Sequence, residues 1–342
     1  MRSAIPQAIY KKFGWSSVAV AISLVIVAVA AVTLVKIFRE IELGRVMGAL
    51  KTQSISHLLS SGGFVVAGYL ALTCYDVFAL RSIGRREVPY RVAAFASFTS
   101  YTIGHNFGAA VFTSGLIRYR IYSAWALSVA EIARIAFITG LTYWLANAFV
   151  LGGGALLAPN AASAVDHLPV PINRLIGIAV LAVIASYVLW LWPGPRLIGR
   201  SEWQIILPNS QSTLLQIGIG STELIFVALA MYMLLPARPV VDLLDLVVIF
   251  VTAMLMGVVS HVPGSLGVME AAMFIGLPEV GKEDLLVSLV SFRVLYFLLP
   301  LLLATLLLGL RELPRVAAGL GRCSTDHAVE NDPGYCRPEG RR

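Results

Sequence analysis

Residues 17–35 (SVAVAISLVIVAVAAVTLV) run without a single charged side chain. At about 1.5 Å per residue, a helix of that length covers the ~30 Å hydrocarbon layer of a bilayer. The run is longer than the ~7–15-residue apolar centre of a secretory leader, and no small-residue cleavage site clearly follows it, so it reads as a retained first span. Five more stretches read as full crossings, apolar but each carrying one or two charges: 58–80, 124–150, 172–192, 212–235 and 286–309. Two others, 92–116 and 243–277, are apolar but interrupted. Only 13% of the 342 residues are charged and 58% are hydrophobic, against about a quarter charged in a soluble domain. The mean hydropathy is +0.81. The expected fold is an all-α polytopic membrane protein: about six full transmembrane helices plus two broken or re-entrant helical hairpins, with an inverted repeat left open.

The net charge of +7 does not argue for nucleic acid, because Lys and Arg in a membrane protein concentrate in short cytoplasmic loops. Four clusters fit that rule: Arg2, Lys11 and Lys12; Arg81, Arg85, Arg86 and Arg91 against Glu87; Arg118 and Arg120; and Arg311, Arg315 and Arg322 against Glu312. Segment 151–171 has no Lys or Arg, and 278–285 is acidic, so both are expected outside. With 81–91 and 117–123 on the same side, 92–116 must enter and return, and 243–277 must do so from the opposite side. Segment 36–57 disagrees, since it should be external yet carries Lys36, Arg39, Arg45 and Lys51. Its partly amphipathic pattern reads as an interfacial helix. The expected organisation is 1–16 as a cytoplasmic N-terminus, 17–312 as the transmembrane domain and 313–342 as a polar cytoplasmic tail lacking order. Both termini are expected in the cytoplasm of a bacterial cell, with the domain in its inner membrane. Cys74, Cys323 and Cys336 imply no disulfide framework, and with His327 they match no zinc spacing.

The two interruptions are TSYTIGHNFGAAVFTSG, with Gly104, Gly108 and Gly115 around His105 and Asn106, and MGVVSHVPGSLGVMEAAMFIG, with Gly257, Pro263, Gly264 and Gly267 before Glu270. Broken backbone at membrane depth is tolerated only where protein or a watery cavity satisfies it, and paired breaks entering from opposite faces suggest an inverted repeat.

Ionisable side chains at such depth cost several kcal/mol unless paired or hydrated, so each is a functional candidate. They are Asp76, His105, Arg118, Glu131, Arg134, Glu223, His261, Glu270 and Arg293. Glu131 and Arg134, three apart on one helix, read most simply as a structural pair. Glu223 has no local partner and must meet a cation from another helix or from a substrate. A Glu223–Arg293 or Glu270–Arg293 pair is the plainer alternative. Asp76 can reach Arg81 or Arg118. Glu270 suits the start of a resumed helix. Arg118 and Arg120 could hold a lipid phosphate. Trp15, Tyr90, Trp190, Trp192 and Trp203 read as interface anchors. The chain has no H-E-x-x-H, P-loop or G-x-S-x-G signature. No cofactor, metal site or enzyme activity is therefore expected.

The runs SYTIGHNFGAAVFTSGLIRYRIYSAWALS and SHVPGSLGVMEAAM resemble the transmembrane region of lysylphosphatidylglycerol synthases, the multiple peptide resistance factors, and related short proteins of the YbhN type. The resemblance covers roughly residues 15–312. In full-length members that region is implicated in flipping aminoacylated phosphatidylglycerol to the outer leaflet, which confers antimicrobial peptide resistance. Beyond Leu310 only about 30 polar residues follow, so the aminoacyl-transferase domain and its activity are not expected. The second block of spans is also missing, which leaves the lysyl-lipid substrate open.

The resemblance implies a flippase-like lipid translocator acting on an aminoacylated or related phospholipid. Arg118, Glu223, Glu270 and the glycine-rich breaks carry over to the lipid path. Asp76, His105, Asn106, Arg120, His261 and Arg293 complete the candidates. Partners expected are membrane lipids, with a homo-oligomer and a separate synthase as further options. The alternatives are an ion-coupled transporter of an isoprenoid- or glycan-linked lipid, an intramembrane enzyme, and a membrane subunit recruiting a synthase.

Overall fold

The computed structural model describes residues 53–107, 110–194, 196–198, 205–237 and 241–311. The expected span 17–35, the interfacial segment 36–57 up to Thr52, the 1–16 and 313–342 ends, Trp203 and Gly108 lie outside these residues.

Helix α1 (Ile55–Ser82) follows the extended Ser54 and stops before Gly84 at φ +84°. Helix α2 (Tyr90–Phe107) starts after Pro89, whose carbonyl accepts from the amides of Val92 and Ala93. Helix α3 (Ala110–Tyr122) runs back beside α2 and ends in a 3₁₀ turn, Ser123–Trp125. Helix α4 (Val129–Leu157) opens with a capping box. There the Ser128 hydroxyl accepts from the Glu131 amide at 3.3 Å, and the Glu131 carboxylate accepts from the Ser128 amide at 2.8 Å. The short helix α5 (Pro159–Asp166) leads into α6 (Val170–Trp190). An antiparallel two-stranded ribbon, β1 (Arg196–Ile198) and β2 (Ile205–Leu207), precedes α7 (Ser210–Tyr232). Helix α8 (Leu243–Val259) is capped by Asp242, whose carboxylate accepts from the Leu244 amide at 2.8 Å. The chain then turns through Pro263–Ser265 into α9 (Val268–Gly276). Helix α10 (Lys282–Arg311) contains a π-helical stretch at Arg293–Leu298.

Among the described residues, five helices, α1, α4, α6, α7 and α10, are 21 to 30 residues long and apolar enough to cross a bilayer. Each coincides with one of the expected spans, with ends shifted by a few residues, and the chain is an all-α polytopic membrane protein. Segment 92–116 is a helical hairpin, as loop charge required. Its α2 arm, however, continues straight through Gly104, which is not a break. Glycine alone weakens a helix by about 1 kcal/mol and does not end one when its neighbours pack well; Ile103, Gly104 and Asn106 are all buried. The second break falls where expected, with Gly264 at φ +61° and Gly267 at φ +78°.

Interhelical contacts sort the helix ends into two faces. Arg85, just beyond α1, pairs with Glu131 at the start of α4, and Arg311 at the end of α10 lies over the Phe95 ring of α2. On the other face, Gln53 before α1 and Ser288 of α10 both donate to the Leu234 carbonyl beyond α7. The α2–α3 hairpin thus enters from the face of Arg85, and α8–α9 from the face of Leu234. The 3₁₀ turn at Pro263–Ser265 packs against α2, so the two elements meet inside the bundle.

Small residues allow these helices to approach closely. A Cβ on Gly177 of α6 would lie 2.7 Å from the Gly152 carbonyl of α4, and one on Gly220 of α7 would strike Ala146 of α4. The core forms two buried clusters. One centres on α7, α8 and α10, with Met231, Phe250 and Phe292; the other joins α2, α3 and α4 through Ile103, Ile117 and Ile135. Leu175, Val183 and Leu189 of α6 stay exposed, as expected of a lipid-facing helix.

Candidate functional site

Among the described residues, three carboxylates lie in the bundle interior, and the structure gives them different surroundings. Asp76 of α1 is fully buried and takes a bidentate contact from Arg118 of α3, at 2.7 Å to Nη2 and 3.0 Å to Nε. The Tyr122 hydroxyl donates to the same carboxylate at 2.7 Å. Arg118 also sits over the Tyr101 ring, 5.2 Å from its centre. Of the two partners open to Asp76, Arg118 is the one that binds it. The guanidinium is only 2% exposed, so the expectation that it meets a lipid phosphate does not fit this geometry. A bidentate carboxylate within the bundle offers a closer and better desolvated partner than the interface does. Arg120, two residues on, is half-buried.

Glu270 is engaged as well. Its carboxylate pairs with Arg293 and accepts from the Gly267 amide at 2.9 Å, closing the first turn of α9. Arg293 also donates to the carbonyls of Gly264 at 2.9 Å and Ser265 at 3.3 Å. One guanidinium thereby satisfies the broken backbone that neither helix can satisfy. Arg293 begins the π-helical stretch of α10; such wide turns aim side chains off the regular helical face and recur at functional sites. Of the two pairs open to Arg293, the structure forms the one with Glu270. The expected Glu131–Arg134 pair is not formed. Glu131 instead binds Arg85 at 2.6 and 3.1 Å, because its place at the third position of α4 turns it back toward the Ser128 cap and the α1 end.

Glu223 of α7 remains. It is 5% exposed and has no ion-pair partner among the described residues. Its one side-chain hydrogen bond is a long one, from the Tyr75 hydroxyl at 3.5 Å. It faces a small cavity of about 20 Å³ lined by Tyr101, His105, Tyr143, Tyr296, Phe250 and Met254 among others. The His105 ring lies 5.7 Å from that of Tyr101 and 6.3 Å from that of Tyr143. Tyr75 meets Tyr101 edge-on at 5.5 Å.

The two histidines do not converge. His105 lines the Glu223 cavity, whereas His261 is exposed beyond α8 with its Nδ1 2.7 Å from the Val259 carbonyl. Asn106 is buried at the meeting point: its amide donates to the Thr102 carbonyl at 2.8 Å, and its Oδ1 faces the Gly264 turn with no hydrogen-bond partner among the described residues. The four tyrosines 75, 101, 143 and 296 were not singled out in sequence. A signal for them exists, since each places a phenol in the middle of an apolar stretch, where a hydroxyl needs a polar neighbour. Tyr101 and His105 are also i,i+4 on one helix face. No group of three or more His, Cys, Asp or Glu converges among the described residues.

No protein-family model matches the chain. It is 28% identical over 285 residues to the inner membrane protein YbhN of Escherichia coli, covering 81% of this chain and 87% of that one. It is 30% identical over 267 residues to the uncharacterized protein slr0712 of Synechocystis, covering 78% of this chain and 81% of the relative. With that identity over most of both chains, and with membrane-crossing helices in the expected places, this polytopic membrane protein belongs to the family that includes slr0712 and is homologous to YbhN.

Proposed function

We propose that the chain is a lipid translocator of a bacterial inner membrane. The polar headgroup would pass between the two re-entrant elements, and the acyl chains would stay in the bilayer. The observation that carries this reading is Glu223: a buried carboxyl with one long hydrogen bond and no counter-charge among the described residues, ringed by aromatic side chains. An unpaired carboxylate at that depth costs several kcal/mol, which a cationic ligand group would offset. Phenol faces around the site would attract the same cation. The ion pairs at Asp76–Arg118 and Glu270–Arg293 leave those residues as walls of the path rather than as the primary headgroup contact. The resemblance to the membrane region of lysylphosphatidylglycerol synthases adds the substrate class, an aminoacylated phospholipid.

The test is a leaflet assay. Protein in liposomes with fluorescent lysyl-phosphatidylglycerol or phosphatidylglycerol is exposed to dithionite, which bleaches outer-leaflet label only. The expected outcome is transfer of the lysyl lipid by the wild type and its loss in Glu223→Gln. If neither lipid moves faster than in protein-free liposomes, the aminoacyl-lipid reading fails.

One observation favours a second reading, an ion-coupled transporter of an isoprenoid- or glycan-linked lipid. The cavity at Glu223 has room for little more than one water-sized particle, which suits a proton or a small cation better than a lysyl group. Transport that collapses with an uncoupler, with Glu223→Gln insensitive to it, would select this reading over the first.

A further inference from the structure

With Arg118 sequestered by Asp76, a further basic cluster among the described residues lies in the loop joining α1 to α2. A concavity of about 190 Å³ opens there between Arg81, Arg85, Arg86 and Tyr90, with Leu80, Val88 and Ala93 in its wall. Arg85 is held rigidly by Glu131 and by Glu87 at 3.0 Å. Arg81 and Arg86 are exposed and have no ion-pair partner among the described residues. Three guanidinium groups thus face two carboxylates, and the two without partners are on the open side.

We infer that this concavity binds the phosphate group of an anionic phospholipid. Two guanidinium groups converging on one opening match the planar, bidentate recognition of phosphate. The site lies where a spanning helix leaves the apolar layer. Leu80, Val88 and Ala93 are buried beside it and continue its wall along α1 and α2, where an acyl chain would lie. Tyr90 stands at its rim with its hydroxyl 2.8 Å from the Thr73 Oγ1, the place of an interfacial aromatic. A free anion would need the arginines but not the apolar wall; a lipid uses both, and basic pockets between helices at this level hold anionic headgroups. The site is separate from the Glu223 cavity and does not depend on the translocation reading.

The experiment is thermal unfolding of the full chain in detergent. It is titrated with phosphatidylglycerol, with phosphatidylcholine of the same chains, or with inorganic phosphate. At about 1 kcal/mol for each basic residue near an anionic lipid, loss of two arginines should weaken the apparent affinity for phosphatidylglycerol about thirtyfold. The expected result is stabilisation of the wild type by phosphatidylglycerol, that thirtyfold weakening in Arg81→Ala/Arg86→Ala, partial retention in Arg81→Lys/Arg86→Lys, and no change in Arg91→Ala. Both replaced residues are exposed, so the variants should fold, and an unchanged melting temperature without lipid checks this. Three results would overturn the inference: equal protection by inorganic phosphate, which means a free-anion site; equal weakening in Arg91→Ala, which means general surface charge; or equal stabilisation by phosphatidylcholine.

Discussion

Replacing Arg118 by Met isolates one buried charge and should be among the most damaging single changes in the described part of the chain. Asp76 is fully buried and accepts hydrogen bonds from two nitrogens of the guanidinium and one from the Tyr122 hydroxyl. Taking the guanidinium away leaves a carboxylate with a single phenol in a low-dielectric bundle. Breaking a buried pair in this way costs about 3–5 kcal/mol, more than the pair itself contributes. For a chain of this size that corresponds to a fall of roughly 4–7 °C in melting temperature. The double variant Asp76→Leu/Arg118→Met removes both charges and should recover most of the loss, because the penalty comes from the orphaned charge. The assay is intrinsic tryptophan fluorescence during heating in one detergent, with Arg120→Met measured beside it as a neighbouring arginine that does not bind Asp76. A single-variant loss below about 1 kcal/mol, or a double variant worse than either single, would refute the picture of Asp76 as dependent on Arg118.

Three more outcomes follow from named contacts. Arg293→Lys keeps the charge but not the fork that reaches Glu270, the Gly264 carbonyl and the Ser265 carbonyl together; stability should fall by about 1–3 kcal/mol in the same melt, since a lysine leaves a buried carbonyl unpaired. Gly264→Ala brings its new Cβ only into ordinary van der Waals contact, the nearest atoms being 3.9 Å away, so its cost should be the left-handed backbone alone, about 1–2 kcal/mol; Gly62→Ala, in α1 with nothing near it among the described residues, should be neutral or slightly stabilising. Gly220→Ala drives a methyl into Ala146 and toward the Tyr75 hydroxyl at 3.0 Å, so it should destabilise by about 1–3 kcal/mol and slow any transport that depends on Glu223, which lies on the same helix face three residues on.

These contacts also give the two re-entrant elements distinct roles in holding the bundle. Asp76–Arg118 ties the α2–α3 hairpin to α1, and Glu270–Arg293 ties the turn between α8 and α9 to α10. Each pair fixes one interrupted element to one spanning helix, and Glu223 lies on α7 apart from both. A carrier that exposes a site first to one face and then to the other needs a fixed centre with elements that move around it. In the proposed reading the two pairs are where such movement would be resisted.

Sequence alone determined the class of this protein and the places where its helices cross. Runs of apolar residues long enough for the bilayer are a local property, and lipid leaves a chain few alternatives to the helix, so 58–80, 124–150, 172–192, 212–235 and 286–309 could be read directly. Loop charge was local too, and it required the entry and return of 92–116. The Pro263-Gly264 break was equally legible, because no other residues adopt that backbone so readily. Partnership was not. Whether Arg118 would meet a phosphate or Asp76, 42 residues away, and whether Arg293 would answer Glu223 or Glu270, depended on which helix faces pack together. Glu131 likewise turned from Arg134 to Arg85 because packing brought the end of α1 to the start of α4. Burial makes such choices decisive: an ion pair inside a bundle is bound firmly or is costly, and only tertiary structure shows which charge has been left without a partner. Among the described residues, Glu223 is the buried charge with no ion-pair partner.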